Sequence, residues 1–170
     1  MLFVLFSFAS LIILTAIETS FFASLSPPLV YTPVLFTAAI YAIQHRGSTV
    51  GIWWLAGYGL YLDILHIGYS PGETIIYFGA GALAYALSRR MFTNRSLYGI
   101  IGCGAITLTA VFLVHFGYHI LSSLLHDSNF NLTDNLIYFA SRIILFIILT
   151  FIIFQVNQSL KKSLALRSTK

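Results

Sequence analysis

Six apolar runs, each long enough for several turns of helix and none alternating polar with apolar residues, decide what this chain can become. The first, about residues 2–24, stops at Ser26-Pro27-Pro28, where two prolines remove two backbone donors and fix two φ angles. The second, about 30–43, ends at Gln44-His45-Arg46-Gly47, and the third, about 49–67, at Gly68-Tyr69-Ser70-Pro71-Gly72. The fourth, about 73–87, closes at Ser88-Arg89-Arg90; the fifth, about 97–121, follows Thr93-Asn94-Arg95. A polar stretch, Ser122–Asn135, reads as the longest loop. The sixth run, about 136–156, precedes a tail with Lys161, Lys162, Arg167 and Lys170. Barrel strands alternate in polarity, so these runs predict helices.

Water is the wrong solvent for such a chain. Only 8% of its residues are charged and 58% are hydrophobic, whereas soluble domains carry about 25% charged residues. A spanning helix needs about 20 apolar residues, so six helices use most of the 170 residues and leave only short loops. The expectation is an all-α integral membrane protein: one polytopic domain, residues 1–170, folded as a compact bundle of six transmembrane helices. No separate catalytic or nucleic-acid-binding domain fits. Met1–Ile17 has no charged side chain and its apolar run continues past Glu18 to Leu25, which reads as a retained first span rather than a signal peptide. The lone cysteine, Cys103, excludes a disulfide within the chain.

Orientation follows from the basic residues, because short cytoplasmic loops carry the excess of Lys and Arg. Arg46, then Arg89, Arg90 and Arg95, then the tail, lie on alternate connections; Arg142 is the one basic residue inside a run. Both termini are therefore expected in the cytoplasm, and the net charge of +4 is a membrane-side bias rather than a partner-binding patch.

Charged groups at membrane depth are costly and call for a purpose. Glu18, Asp63, Glu73 and Arg142 lie within the runs, with His66, His115 and His119 beside them. At about 1.5 Å rise per residue, Glu18, Asp63 and Arg142 fall at similar depth in the outer half. Three uses remain open: a structural ion pair of Arg142 with Asp63 first or Glu18 second, an outward-opening pocket for a small ligand, or a docking surface. His115 and His119 have the i, i+4 spacing of metal ligands, but no third ligand is assigned, and neither metal nor cofactor is expected. Small residues recur at Ala16, Ser20 and Ser24 in the first run and at Ala80, Ala84 and Ser88 in the fourth, as helices that pack closely in lipid require. Intramolecular packing and a partner interface both fit these stripes. No nucleophile elbow, phosphate-binding glycine loop or zinc motif is present, so the expectation is a protein that is not an enzyme.

The stretch from Tyr31 to Arg90 resembles the rod shape-determining protein MreD family. The resemblance is carried by Pro33, by Arg46-Gly47, by Gly57-x-Gly59-Leu60-Tyr61-Leu62-Asp63-Ile64-Leu65, by Gly72, and by Gly79–Ala86 closed by Arg89-Arg90. In that family an acidic residue follows the second-span proline; here Val34 does. The resemblance implies a non-catalytic multi-pass subunit of the cell-wall elongation machinery in the bacterial cytoplasmic (inner) membrane. Its partners would be an MreC-like single-span membrane protein and, indirectly, MreB filaments and peptidoglycan synthases, with membrane lipid around it and no nucleic acid. The family is also similar in fold to the substrate-binding S components of energy-coupling-factor vitamin transporters, which supply the alternative reading.

Overall fold

The computed structural model describes residues 2–65, 72–126 and 132–168. Within them run six α-helices: α1 (Leu2–Ala16), α2 (Val34–Arg46), α3 (Val50–Leu65), α4 (Glu73–Arg90), α5 (Leu97–His126) and α6 (Leu132–Ser168). No strand occurs among the described residues. Three helical stretches, Leu5–Ser24, Leu97–Leu124 and Leu132–Leu160, are long and apolar enough to cross a membrane. Leu29–His45 and Val50–Leu65 are shorter apolar helical stretches.

The centre of the bundle is α2. Its sequence is mostly apolar as far as Gln44, with the Thr37 hydroxyl bonded back to the Pro33 carbonyl, which suits burial on every side. It is touched by each of the other five helices, and Leu35, Phe36, Ala39, Ile40 and Ile43 are completely buried. Phe36 meets Phe146 of α6 edge to face, with ring centroids 6.0 Å apart. The chain leaves α2 through Gly47, whose left-handed φ of 63° stops the helix and suits glycine.

The tightest helix pair is α3 with α4. A Cβ on Gly59 would lie 2.6 Å from the Glu73 carbonyl oxygen and 2.7 Å from Thr74 Cα, so the crossing needs a residue without one. Ala80 and Ala84 are buried at α4's inner side, as the small-residue pattern predicted for close packing, and Ser88 is half-buried. Cys103 of α5 donates to the Ala84 carbonyl at 3.4 Å. The other stripe differs: Ala16, Ser20 and Ser24 are exposed on the outside of the bundle.

Three run boundaries also differ from expectation. The first run is not one α-helix: a π turn, Ile17–Phe21, and a 3-10 turn, Phe22–Ser24, follow α1. The expected loop Ser122–Asn135 is largely helical, because α5 continues to His126 and α6 begins at Leu132; residues 127–131 are outside the described residues. Polar side chains at helix ends are compatible with helical backbone, and Asp134 in the first turn of α6 complements the helix dipole. At its other end α6 extends twelve residues past the expected limit of 156, to Ser168, through Lys and Arg, which are good helix formers favoured near a helix C-terminus.

The two ends of the bundle differ in character. At one, Gln44 donates through Nε2 to the Phe92 carbonyl and, at 3.3 Å, to that of Asn94. Asn157 there donates to the Tyr41 hydroxyl, and Arg89, Arg90 and Arg95 are close by in the chain. The opposite end gathers the C-terminal parts of α1, α3 and α5 and the N-terminal parts of α2, α4 and α6. There the buried polar groups converge.

Candidate functional site at the polar end of the bundle

The site begins with an unfinished helix. The first turn of α2 has orphan N–H donors, and the residue before it, Pro33, contributes no side-chain cap. Glu18, carried by the π turn that follows α1, fills that role. Its Oε2 accepts the Leu35 N–H at 2.7 Å and its Oε1 accepts the Tyr58 hydroxyl of α3 at 2.8 Å. One carboxylate thus ties the end of the first apolar run to α2 and α3. Single-turn π insertions re-aim side chains and recur at functional sites.

Asp63 performs a parallel task for α4. Its Oδ1 accepts the N–H groups of Gly72 (3.0 Å) and Glu73 (2.8 Å), and its Oδ2 accepts the N–H and hydroxyl of Thr74 (3.0 and 2.5 Å). Sequence reasoning made Asp63 the first partner of Arg142, and the structure corrects that. Matching depth does not set azimuth, and the free N-terminus of α4 claims the whole carboxylate. The second choice, Glu18, is the acidic group electrostatically coupled to Arg142, though not in contact with it.

Arg142 is held instead by a tyrosine. Its Nη1 donates to the Tyr138 hydroxyl at 2.6 Å, its guanidinium carbon lies 5.5 Å from the centroid of the same ring, and it lines a cavity together with Tyr77 of α4. Its Nε is buried without a hydrogen-bond partner. Tyr77 in turn meets Tyr58 edge to face at 5.1 Å. His115 Nε2 of α5 lies 3.4 Å from Glu73 Oε2 of α4, an ion pair when the imidazole is protonated.

These side chains enclose a cavity of about 320 Å3 between α3, α4, α5 and α6. Arg142, Tyr58, Tyr77 and Tyr138 line it together with Glu73, Asn135, His115 and His119, and Leu62, Phe112 and Phe116 are its apolar lining. A second recess of about 300 Å3, reaching Glu18 and Thr19, shares the wall of Tyr58, Tyr138 and Arg142. Six of the seven polar residues singled out by sequence therefore lie at one end of the bundle, five around these two recesses and Asp63 at the neighbouring α3–α4 corner. His66 is outside the described residues. Among the described residues no group of three metal-capable side chains forms. The three tyrosines carry the site and composition conceals them, since aromatic residues near helix ends are ordinary interface anchors. Helical spacing holds the signal: Tyr138 and Arg142 are i, i+4, as are Glu73 and Tyr77. Compared with protein-family models, curated proteins and solved structures, the chain shows no significant match to any.

Proposed function

We propose that this chain is a non-catalytic, six-span subunit of the bacterial cell-wall elongation machinery, with both termini in the cytoplasm of the cell whose inner membrane holds it. It binds and positions an MreC-like single-span partner and, through it, MreB filaments and wall synthases. The observation that carries the reading is the structural use made of the stretch resembling MreD. Several elements of that pattern have a job: Gly47 ends α2, Gly59 permits the α3–α4 crossing, Asp63 caps α4 through Gly72, and Ala80 and Ala84 pack inward. Where the pattern lacks its acidic residue, at Val34, Glu18 delivers a carboxylate to the same helix start. The exposed small residues Ala16, Ser20 and Ser24 leave a helix face that a partner helix could approach closely.

The test is depletion in a rod-shaped host combined with affinity purification from gently solubilised membranes. Rounded cells and co-purification of an MreC-like protein are expected. Normal rods together with defective vitamin uptake would overturn the proposal in favour of an S component.

A further inference from the structure

Arg142 brings an unanswered buried donor to the cavity, since its Nε has no hydrogen-bond partner. A guanidinium offers five N–H donors and no acceptor. Tyr138 accepts from Arg142 through its hydroxyl oxygen, which leaves its phenolic proton to be donated onward, and Tyr77 lines the same cavity. The nearby carboxylate of Glu18 is already engaged by the Leu35 N–H and the Tyr58 hydroxyl. No carboxylate of a described residue lies within 4.0 Å of the Arg142 guanidinium, the one such pair among the described residues being His115 with Glu73. Buried polar groups are hydrogen-bonded in folded proteins and buried charges are paired.

We infer that this cavity binds a singly charged oxyanion, a carboxylate or phosphodiester, on a molecule with an apolar body. The oxyanion would receive the protons of Tyr77 and Tyr138 while facing the Arg142 guanidinium, the arrangement that strengthens charge-assisted hydrogen bonds. The apolar body would lie on Phe112, whose ring is fixed by stacking on Phe139 at 4.2 Å, and on Phe116. A second negative charge is opposed by Glu73, which also lines the cavity. The volume of about 320 Å3 is within the range of small-ligand sites. This chemistry has two sources: the phosphodiester headgroup of an anionic lipid, or a free carboxylic acid. The inference stands apart from the proposed partner, since cell shape reports on one and ligand retention on the other.

The experiment uses the full chain in phosphatidylcholine nanodiscs. One arm adds phosphatidylglycerol and counts retained lipid by native mass spectrometry; the other titrates benzoate by calorimetry. Stoichiometric retention of phosphatidylglycerol assigns the lipid source, and saturable one-to-one binding of benzoate assigns the free acid. In either case the Tyr77→Phe/Tyr138→Phe double variant, which keeps both rings, should bind about tenfold more weakly or worse, the loss expected when hydrogen bonds to a charged group are removed. Arg142→Gln should abolish binding. Absence of binding in both arms, or equal binding by wild type and the double phenylalanine variant, would overturn the inference.

Discussion

Glu18 offers the sharpest test of how this bundle is held, because its two oxygens serve two different helices. Alanine at position 18 leaves the Leu35 N–H and the Tyr58 hydroxyl, now bonded at 2.7 and 2.8 Å, without acceptors. Hydrogen bonds to a charged group contribute about 1.5–3 kcal/mol each, and two sharing one carboxylate are less than additive, so Glu18→Ala should cost about 3–4 kcal/mol. Glutamine can keep an oxygen on the Leu35 N–H, while its amide donates to the Tyr58 oxygen once that hydroxyl rotates. It loses the charge alone, for about 1–2 kcal/mol. Steric trapping in bicelles measures both differences. A double-mutant cycle with Arg142→Gln should show coupling of about 0.5–1.5 kcal/mol, in the lower part of the range for interacting neighbours because the two groups do not touch. The corresponding cycle between Asp63 and Arg142 should be additive. Glu18→Ala as stable as wild type, or Glu18→Gln less stable than Glu18→Ala, would refute the capping argument; coupling of Arg142 to Asp63 in place of Glu18 would refute the placement of the arginine.

Three further outcomes follow from the same geometry. Asp63→Ala should fray the start of α4, seen as faster hydrogen exchange at residues 72–76, whereas Asp63→Asn, which retains one acceptor, should exchange at an intermediate rate; equal exchange in all three proteins would contradict the cap. Gly59→Ala forces a Cβ against the α4 backbone and should lower the melting temperature through overpacking of about 1–3 kcal/mol, while Gly79→Ala, with nothing within 4 Å of the added carbon, should be neutral or slightly stabilising. In intact cells a cysteine replacing Ser128 should react with an impermeant thiol reagent and one replacing Ser163 should not, with the wholly buried Cys103 silent in both; reversed labelling would sink the proposed topology.

The helices were legible from the sequence because apolar runs and their breakers report directly on backbone state. Gly47 and the paired prolines mark real ends, whereas the central position of α2 was not legible, because a helix without a polar face can lie against lipid as well as in a core. The convergence of Glu18, His115, His119 and Arg142 at one end was legible too, since depth along a helix is simple arithmetic. Which acid faces Arg142 was not. Depth leaves rotation about the helix axis undetermined, and the competing demand of two unfinished helix starts is invisible until the chain is folded. The π turn at Ile17–Phe21 escaped for a related reason: no Pro or Gly marks it, and its sequence reads as uninterrupted helix.

A short central helix explains why polar groups gather where they do. With 13 residues, α2 is about 20 Å long, against about 30 Å for the apolar core of a bilayer. Surrounded by longer helices, it ends before they do, and the space above its first turn cannot stay apolar because that turn has N–H groups to satisfy. Glu18 answers those donors, and a buried carboxylate draws a compensating cation, Arg142, to the same level. Arg142, out of contact with Glu18, donates to Tyr138, whose hydroxyl is then left with its own proton to give at the cavity wall. Each step transfers an unmet demand to the next group, from backbone donor to carboxylate, from carboxylate to guanidinium, from guanidinium to phenol. The last demand falls on the cavity itself. Lengthening α2 toward its N-terminus by a full turn should therefore close the recess beside Glu18 and, with it, weaken oxyanion retention beside Arg142, a coupling that a cavity formed independently of the helix end would not show.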